Sequence, residues 1–330
     1  MQNKGFTLVE MMVSLFIGAF ILAGVMFTFI SMKTTSKDTL DIGDLQESGR
    51  LAINIMQRDI EQVGFWGTFY EDSFTSANTT SLDNPTSDCY STVNNGSFPD
   101  LSSSSNFRSI YAETASSLLA FNCIASAKTN SDILQLKFLQ GERLTVADTV
   151  ANDSDENYFI AQQEQAEFVR GSQASADINI NASIWPYSHH IYYIADQTYQ
   201  MNNTDTTIPV LMRKRLQGDK IVEDTIMEGV ENMRFIFGLD TNADGRVDGY
   251  RSISDISLSD WENRKRILTV QIFLLVRTIH ADNGLTLKNQ TYVLGEDSNA
   301  RTLTFDDDFR RAVFTTTIRL NNVGANLWKM

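Results

Sequence analysis

The sequence predicts an α+β fold in which a long N-terminal helix packs against an antiparallel β-sheet domain that carries a long loop insertion. Three observations support this prediction. The chain is almost continuously apolar from residue 6 to residue 32. The residues that follow repeat apolar side chains at helical spacing, and the remainder contains β-branched and aromatic runs typical of strands. No helical segments alternate regularly with these runs, so antiparallel pairing is favoured over a doubly wound parallel sheet.

The apolar N-terminal segment is long enough to cross a membrane. Residues 11–32 carry no charged side chain, and a helix of this length spans roughly 33 Å, against ~30 Å for the core of a bilayer. A signal peptide would have a shorter apolar core followed by a small-residue cleavage site. Here the small residue, Gly5, precedes the apolar segment. The membrane interpretation is therefore preferred to a signal peptide and to the buried helix of a soluble domain.

Glu10 is unusual because it lies near the start of this apolar segment. A carboxylate at membrane depth is costly, so such a group is expected to have a partner or a function.

The start of the chain resembles the class III leader of type IV prepilins and pseudopilins, in the run Lys4-Gly5-Phe6-Thr7-Leu8-Val9-Glu10. The resemblance implies that a prepilin peptidase cuts between Gly5 and Phe6 and that Phe6 is then N-methylated. It also implies that Glu10 recognises the N-terminal amine of a neighbouring subunit. Opposite charges buried together in lipid lower each other's desolvation cost, which favours registry between helices.

The resemblance to prepilin leaders and the distribution of apolar residues together divide the chain into four parts. We predict a leader peptide at 1–5, a membrane-spanning assembly helix at 6–32, its amphipathic continuation at 33–64 and an extracytoplasmic β-rich domain at 65–330. Placement of that domain outside the bacterial inner membrane, and later at the pilus tip or cell surface, follows the family. The distribution of Lys residues around the span does not support it independently.

The continuation has one apolar face at helical spacing and is expected to end at Gly64. We interpret it as a helix packed on a sheet, with a coiled coil as the alternative. The residues of the face are Leu45, Gly49, Ala52, Met56, Ile60 and Val63.

Residues 72–109 are rich in Ser, Thr, Asn and Asp and predict a long surface loop or insertion. Strands are predicted beyond it, wherever β-branched and aromatic residues cluster. The predicted strands are Ile133–Leu139, Ile191–Ala195, Val210–Leu216, Met233–Leu239, Ile267–Ile279, Gln290–Leu294 and Ala312–Leu320.

Shorter runs spread over the chain resemble minor pilins of the PilW type. They are Gln46–Ala52, Arg58–Gly64, Leu274–Arg277, Thr291-Tyr292 and Arg310–Ile318. This resemblance implies a non-enzymatic structural subunit that helps prime assembly of a type IV pilus as part of a tip complex. Twitching motility, adhesion or DNA uptake would depend on it indirectly. The implied partners are other minor pilins, the major pilin, the prepilin peptidase, the inner-membrane assembly platform and membrane lipid.

Two alternatives remain open for the function. A type II secretion pseudopilin of the J type shares the leader and the fold. A membrane-anchored binding or adhesion module, dependent on calcium or on the 72–109 segment, would use the helix only as a tether.

The composition argues against several other classes of function. The chain has 27 Lys and Arg against 41 Asp and Glu, a formal net charge of −14. Direct nucleic-acid binding is not expected, because phosphate contacts need a basic surface. With two Cys and three His, neither a zinc-cluster architecture nor a cysteine-dense scaffold can form. The sequence contains no phosphate-binding glycine loop and no nucleophile elbow, so no enzymatic activity is predicted.

The two cysteines, Cys89 and Cys123, are expected to form a disulfide if the chain is exported. A pair of buried thiols is the alternative. The adjacent pair His189-His190 is expected at a surface or sheet edge, because no third metal ligand stands nearby in the sequence.

One segment resembles a calcium-binding loop. Oxygen ligands from Asp240, Asn242, Asp244, the carbonyl of Arg246 and Asp248 follow the order of such loops, with Gly245 at the sharp turn. Position 12 holds Arg251 instead of a bidentate Glu, which excludes a standard EF-hand. A structural Ca²⁺ is predicted here, with a metal-free Asp/Asn/Gly-rich turn as an equally good interpretation.

Overall fold

The computed structural model describes residue 5 and residues 7–90, 92–116, 119–145, 156–171, 181–201, 204–282 and 287–323. Within these residues, a 55-residue helix, α1 (Leu8–Gln62), precedes a domain of strands with one further short α-helix, α2 (Leu258–Glu262). The strands in chain order are β1 (Thr79–Thr80), β2 (Ile110–Thr114), β3 (Asp132–Leu139), β4 (Asn157–Ala161), β5 (Ala166–Arg170), β6 (Ser183–Met201), β7 (Thr204–Gln217), β8 (Lys220–Glu228), β9 (Val230–Leu239), β10 (Gly249–Ser252), β11 (Ile267–Arg277), β12 (Leu287–Leu294), β13 (Arg301–Asp307) and β14 (Arg311–Arg319).

The strands form three sheets. The largest has the order β1-β5-β4-β6-β3-β2, with β7 paired to β6 and β8 paired to β7. The second sheet has the order β10-β9-β11-β14, and the third is the β12–β13 hairpin. All pairings are antiparallel except the short pairing of β1 with β5. The predicted α+β class, with a long helix on a mostly antiparallel sheet, is therefore confirmed.

Each of the seven predicted runs coincides with a strand, although Ile267–Ile279 and Ala312–Leu320 extend slightly beyond theirs. Several strands that are short or rich in charged residues were not predicted from the sequence. The clearest is β8, in which charged and apolar residues are mixed without alternation and most side chains are only half-buried.

The second half of α1 packs against β14, β11, β3 and β8. Its buried residues are Leu45, Gly49, Ala52, Ile53, Met56 and Ile60, so the predicted apolar face is confirmed and Ile53 is added to it. These side chains share one core with the inner faces of both larger sheets. The helix therefore joins the two sheets.

The helix ends at Gln62, two residues before the predicted end. Val63 is the C-cap, and Gly64 follows in the left-handed region with φ +88°, a conformation that glycine adopts at low cost. Val63 is itself buried and forms an isolated antiparallel bridge with Phe138 of β3.

The 72–109 segment is not purely a surface loop, and that prediction was wrong in part. It contains little regular structure beyond β1, but residues 94–99 are all buried. Phe98 and Phe107 anchor the segment in an aromatic cluster with Trp66 and Tyr187. Polar composition did not reveal this, because buried polar groups are tolerated where they find hydrogen-bond partners.

Gly49 allows the close approach of α1 to the second sheet. A Cβ atom at this position would lie 2.4 Å from the ring of Phe314 on β14, whereas a Cβ at Gly43 would meet nothing within 4 Å. Replacement of either glycine by Ala gains about 1 kcal/mol of helix propensity, but overpacking costs roughly 1–3 kcal/mol. Gly49→Ala should therefore lower the thermal unfolding midpoint of the full chain in detergent, while Gly43→Ala should leave it unchanged or raise it. Equal midpoints for the two variants would contradict this packing.

Candidate functional site

The first half of α1 is not covered by any of the residues that the structure describes. No helical residue between 8 and 44 is buried, and the apolar stretch is long enough, by length and composition, to cross a membrane. Large side chains such as Leu15, Phe16, Phe20 and Phe27 expose more than 70% of their surface. Exposed apolar area of this extent marks an interaction with lipid or with other proteins.

Glu10 lies in the first turn of this uncovered helix. The helix begins with a capping box: the Glu10 amide donates to Thr7 Oγ1 at 3.3 Å, and the Thr7 amide donates to Glu10 Oε2 at 2.9 Å. The Thr7 hydroxyl donates to the same carboxylate oxygen at 2.8 Å. Threonine at the N-cap and glutamate three residues later satisfy two backbone N–H groups that no helical carbonyl can reach.

The capping box leaves the other carboxylate oxygen of Glu10 open. Both bonds from Thr7 end on Oε2, and no donor among the described residues contacts Oε1. Glu10 therefore caps its own helix through one carboxylate oxygen, while the other accepts no bond from the described residues. Of the predicted processing residues, Gly5 is described and exposed, whereas Phe6 lies outside the described residues.

An ion-pair cluster joins α1 to the domain just after the apolar stretch. Arg310 Nη2 lies 3.1 Å from Asp38 of α1 and 2.7 Å from Asp282. The hydrogen bond to Asp282 is the main reason why the pKa of Arg310 is raised. The helix is thus attached to its domain before its buried face begins at Leu45.

The predicted disulfide between Cys89 and Cys123 is confirmed, with the two Cα atoms 5.1 Å apart. It joins the 72–109 segment to the chain that leads into β3. A bond that closes a loop of this size stabilises a fold by about 3–4 kcal/mol in the chain-entropy model.

The prediction for His189 and His190 was wrong, because both are buried in β6. Successive side chains of a strand point to opposite faces, and both faces are covered at this position. His189 Nδ1 lies 2.9 Å from the Ser97 hydroxyl, while His190 Nδ1 lies 2.5 Å from Asp59 of α1. Burial lowers the pKa of His189 well below its ordinary value. The sequence held no local signal that β6 would be an interior strand 19 residues long.

The 240–248 loop connects β9 to β10 and is closed by its own hydrogen bonds. Asp240 Oδ1 accepts from the Ala243 amide at 2.7 Å, and its Oδ2 accepts from the Gly245 amide at 2.7 Å. Asp248 Oδ2 accepts from both the amide and the hydroxyl of Thr241. The hydroxyl bond is the main reason why the pKa of Asp248 is lowered. Among the described residues, no group of three or more His, Cys, Asp or Glu side chains is arranged to hold a metal.

Two family models match the chain. The model of the prokaryotic N-terminal methylation motif matches residues 1–26, and the model described as type IV pilus-assembly protein W (PilW) matches residues 191–322. The comparisons with curated proteins and with solved structures give no match. The two resemblances seen in the sequence are therefore confirmed, and the PilW match covers most of β6 and every strand after it. The matches support a type IV pilin-like protein.

Calcium binding by the 240–248 loop stays a prediction, and titration of the purified chain tests it. An ion bound only by the folded state stabilises that state by mass action, so calcium should raise the thermal unfolding midpoint. Asp244→Asn should abolish the rise, since it removes an exposed carboxylate of the loop, whereas Asp219→Asn in the β7–β8 turn should not. If the unfolding midpoint of the unmodified chain does not respond to calcium, the loop is a metal-free turn.

Proposed function

We propose that this protein is a minor pilin, a structural subunit that helps prime the assembly of a type IV pilus within a tip complex. In this proposal it is inserted in the bacterial inner membrane by the first half of α1, with its domain in the periplasm. It then enters the pilus together with other minor pilins and the major pilin. Its role is structural rather than enzymatic, and motility, adhesion or DNA uptake depend on it indirectly.

The observation that carries the proposal is a carboxylate in the first turn of α1, at the start of an apolar and uncovered stretch of that helix. A charge in lipid is costly, and a helix needs no carboxylate for capping alone, since a neutral Gln serves at the same position. After cleavage behind Gly5, a neighbouring subunit presents a positive N-terminal amine at the corresponding depth. Pairing of that amine with Glu10 neutralises both charges and fixes the axial position of one helix against the next.

The continuity of α1 supports the same role. A single helix without a break runs from the apolar stretch into the domain core. Forces on the embedded half therefore pass directly to the sheets, as a subunit under axial load requires.

The match to the PilW model over residues 191–322 favours a pilus over a type II secretion system. A J-type pseudopilin remains the nearest alternative, because it has the same leader and the same helix. A membrane-anchored binding module would share the helix but would not require the charge of Glu10.

Processing can be tested by mass spectrometry of the native N-terminus. We expect a mature chain that begins with N-methylated Phe6, which requires the prepilin peptidase. Gly5→Val should retain the leader, since a branched side chain replaces the small residue at the cleavage site. Gly18→Ala, at an open position of the same helix, should be processed normally. An intact Met1 in the native protein, or a cut after Met32, would contradict the proposal.

The role of Glu10 can be separated from its capping bonds. Glu10→Gln keeps a side chain that can accept the Thr7 bonds but removes the charge, so the helix should form while incorporation into pili falls at least several-fold. Thr7→Val should disturb the cap while leaving the charge in place. Glu47→Gln makes the same chemical change on an exposed face of α1 outside the apolar stretch and should have no effect. The measurement is the amount of this protein in sheared, purified pili relative to the amount in membranes.

Unchanged incorporation of Glu10→Gln would support the tether alternative instead. Loss of incorporation in Glu47→Gln as well would show that the assay reports general damage to the helix rather than the charge of Glu10.

A further inference from the structure

Lys137 is a fully buried lysine with no exposed surface, on the inner strand β3 of the largest sheet. Its Nζ atom contacts the side-chain Oδ1 of Asn95 at 3.0 Å, the backbone carbonyl of Asn95 at 3.1 Å and the backbone carbonyl of Arg108 at 3.0 Å. All three contacts are to neutral oxygens. The lysine thus extends from the sheet into the 72–109 segment and ends against one carboxamide.

The surroundings favour the neutral form of this amine. Nζ lies 4.5 Å from the centroid of the Phe107 ring, and Phe107 belongs to the same buried aromatic cluster as Phe98 and Tyr187. Burial lowers the pKa of Lys137 well below its ordinary value, although the nearby charge of Asp88 opposes the change. In the structure Nζ donates to all three oxygens. When the amine is neutral it keeps two of these N–H bonds, and its lone pair takes the direction of the third. A desolvated lysine of this kind is a nucleophile.

Asn95 presents the matching electrophile. Its side chain is fully buried, Oδ1 accepts from Lys137, and Nδ2 has no hydrogen-bond partner among the described residues. A buried donor without a partner is costly and calls for an explanation. In this arrangement the unpartnered atom is the group that departs when an amine attacks the carboxamide carbon.

Asp88 supplies a buried carboxyl group beside the same peptide. Its Oδ1 accepts from the Cys89 amide at 2.8 Å and from the Ser97 hydroxyl at 2.5 Å. Its Oδ2 lies so close to Gly96 that a Cβ there would be 2.6 Å away. Burial raises the pKa of Asp88, which favours uptake of a proton by this carboxyl group.

From this geometry we propose that Lys137 and Asn95 form an intramolecular isopeptide bond. Nζ attacks Cγ of Asn95 and a new C–N bond forms. One proton leaves Nζ, is carried by the Asp88 carboxyl group and is delivered to Nδ2. The Cγ–Nδ2 bond then breaks and ammonia departs. Nζ loses one proton and Nδ2 gains one. No electrons are transferred to another molecule, and no co-reactant is needed.

The bond would be a second covalent connection between the 72–109 segment and the centre of the fold. Cys89–Cys123 ties the segment to the chain before β3, and the isopeptide would tie it to β3 itself. Unlike a disulfide, an amide is indifferent to reductants, so the segment would stay attached in either redox state.

Peptide mapping of the full-length chain, purified in detergent and reduced, tests the proposal. We expect a lysine-specific protease to leave the bond after Lys137 uncut. A branched peptide should contain Asn95 and Lys137 and weigh one ammonia less than its two parts. Lys137→Met should abolish the ammonia loss. Lys128→Met, at a more exposed lysine near the start of β3, should leave the branched peptide unchanged. Asp88→Asn should strongly reduce the linked fraction, because an amide cannot carry the proton.

A competing reaction at the same asparagine gives the same mass change. The backbone amide of Gly96 can attack Asn95 Cγ to form a cyclic imide, which also releases ammonia. That product leaves Lys137 cleavable and gives no branched peptide, and it would overturn the proposal. So would an unmodified Asn95 peptide together with complete cleavage after Lys137. Both outcomes are read from the unmodified chain, so they do not depend on whether a variant folds.

Discussion

The structure depends on one constraint, which is that a single helix must serve two different environments. Its second half is buried against both sheets and holds them in one core, so the domain cannot release it. Its first half exposes large apolar side chains that nothing in the described chain covers. The free energy of that exposed surface has to be recovered from lipid or from other helices. Association with lipid or with other helices is therefore a consequence of how the monomer is built.

Much of the fold could be predicted from the sequence, because two strong patterns encode it. The uncharged stretch and the apolar residues that follow it at spacings of three and four predict the helix and its buried face. Gly64 lies within two residues of the end of the helix. Strands such as β3, β9 and β11 are apolar runs because they are buried on both faces or form the core of a sheet. The class of protein is encoded just as locally, since residues 4–10 carry the leader resemblance by themselves.

What could not be predicted depends on contacts between residues that are far apart in the sequence. The 72–109 segment has the composition of a surface loop, yet Asn95 and Ser97 are buried because Lys137 and His189, from other strands, reach them. The position of His189 and His190 was mistaken for the same reason, since only the pairing of β6 with its neighbours covers both. Composition reports the average exposure of a segment, whereas a buried polar network is defined by its partners.

The contact between Gly49 and Phe314 joins two distant parts of the polypeptide, and Asn322 adds a side-chain hydrogen bond to the Glu61 carbonyl. The inner face of α1, near the start of the chain, is therefore fully covered only after β14, near its end, has been added. During synthesis the N-terminal part of the chain is made long before that strand. Cooperative folding of the core can be completed only when nearly the whole chain has been synthesised. Until then, the buried face of the helix is an exposed apolar surface that favours aggregation.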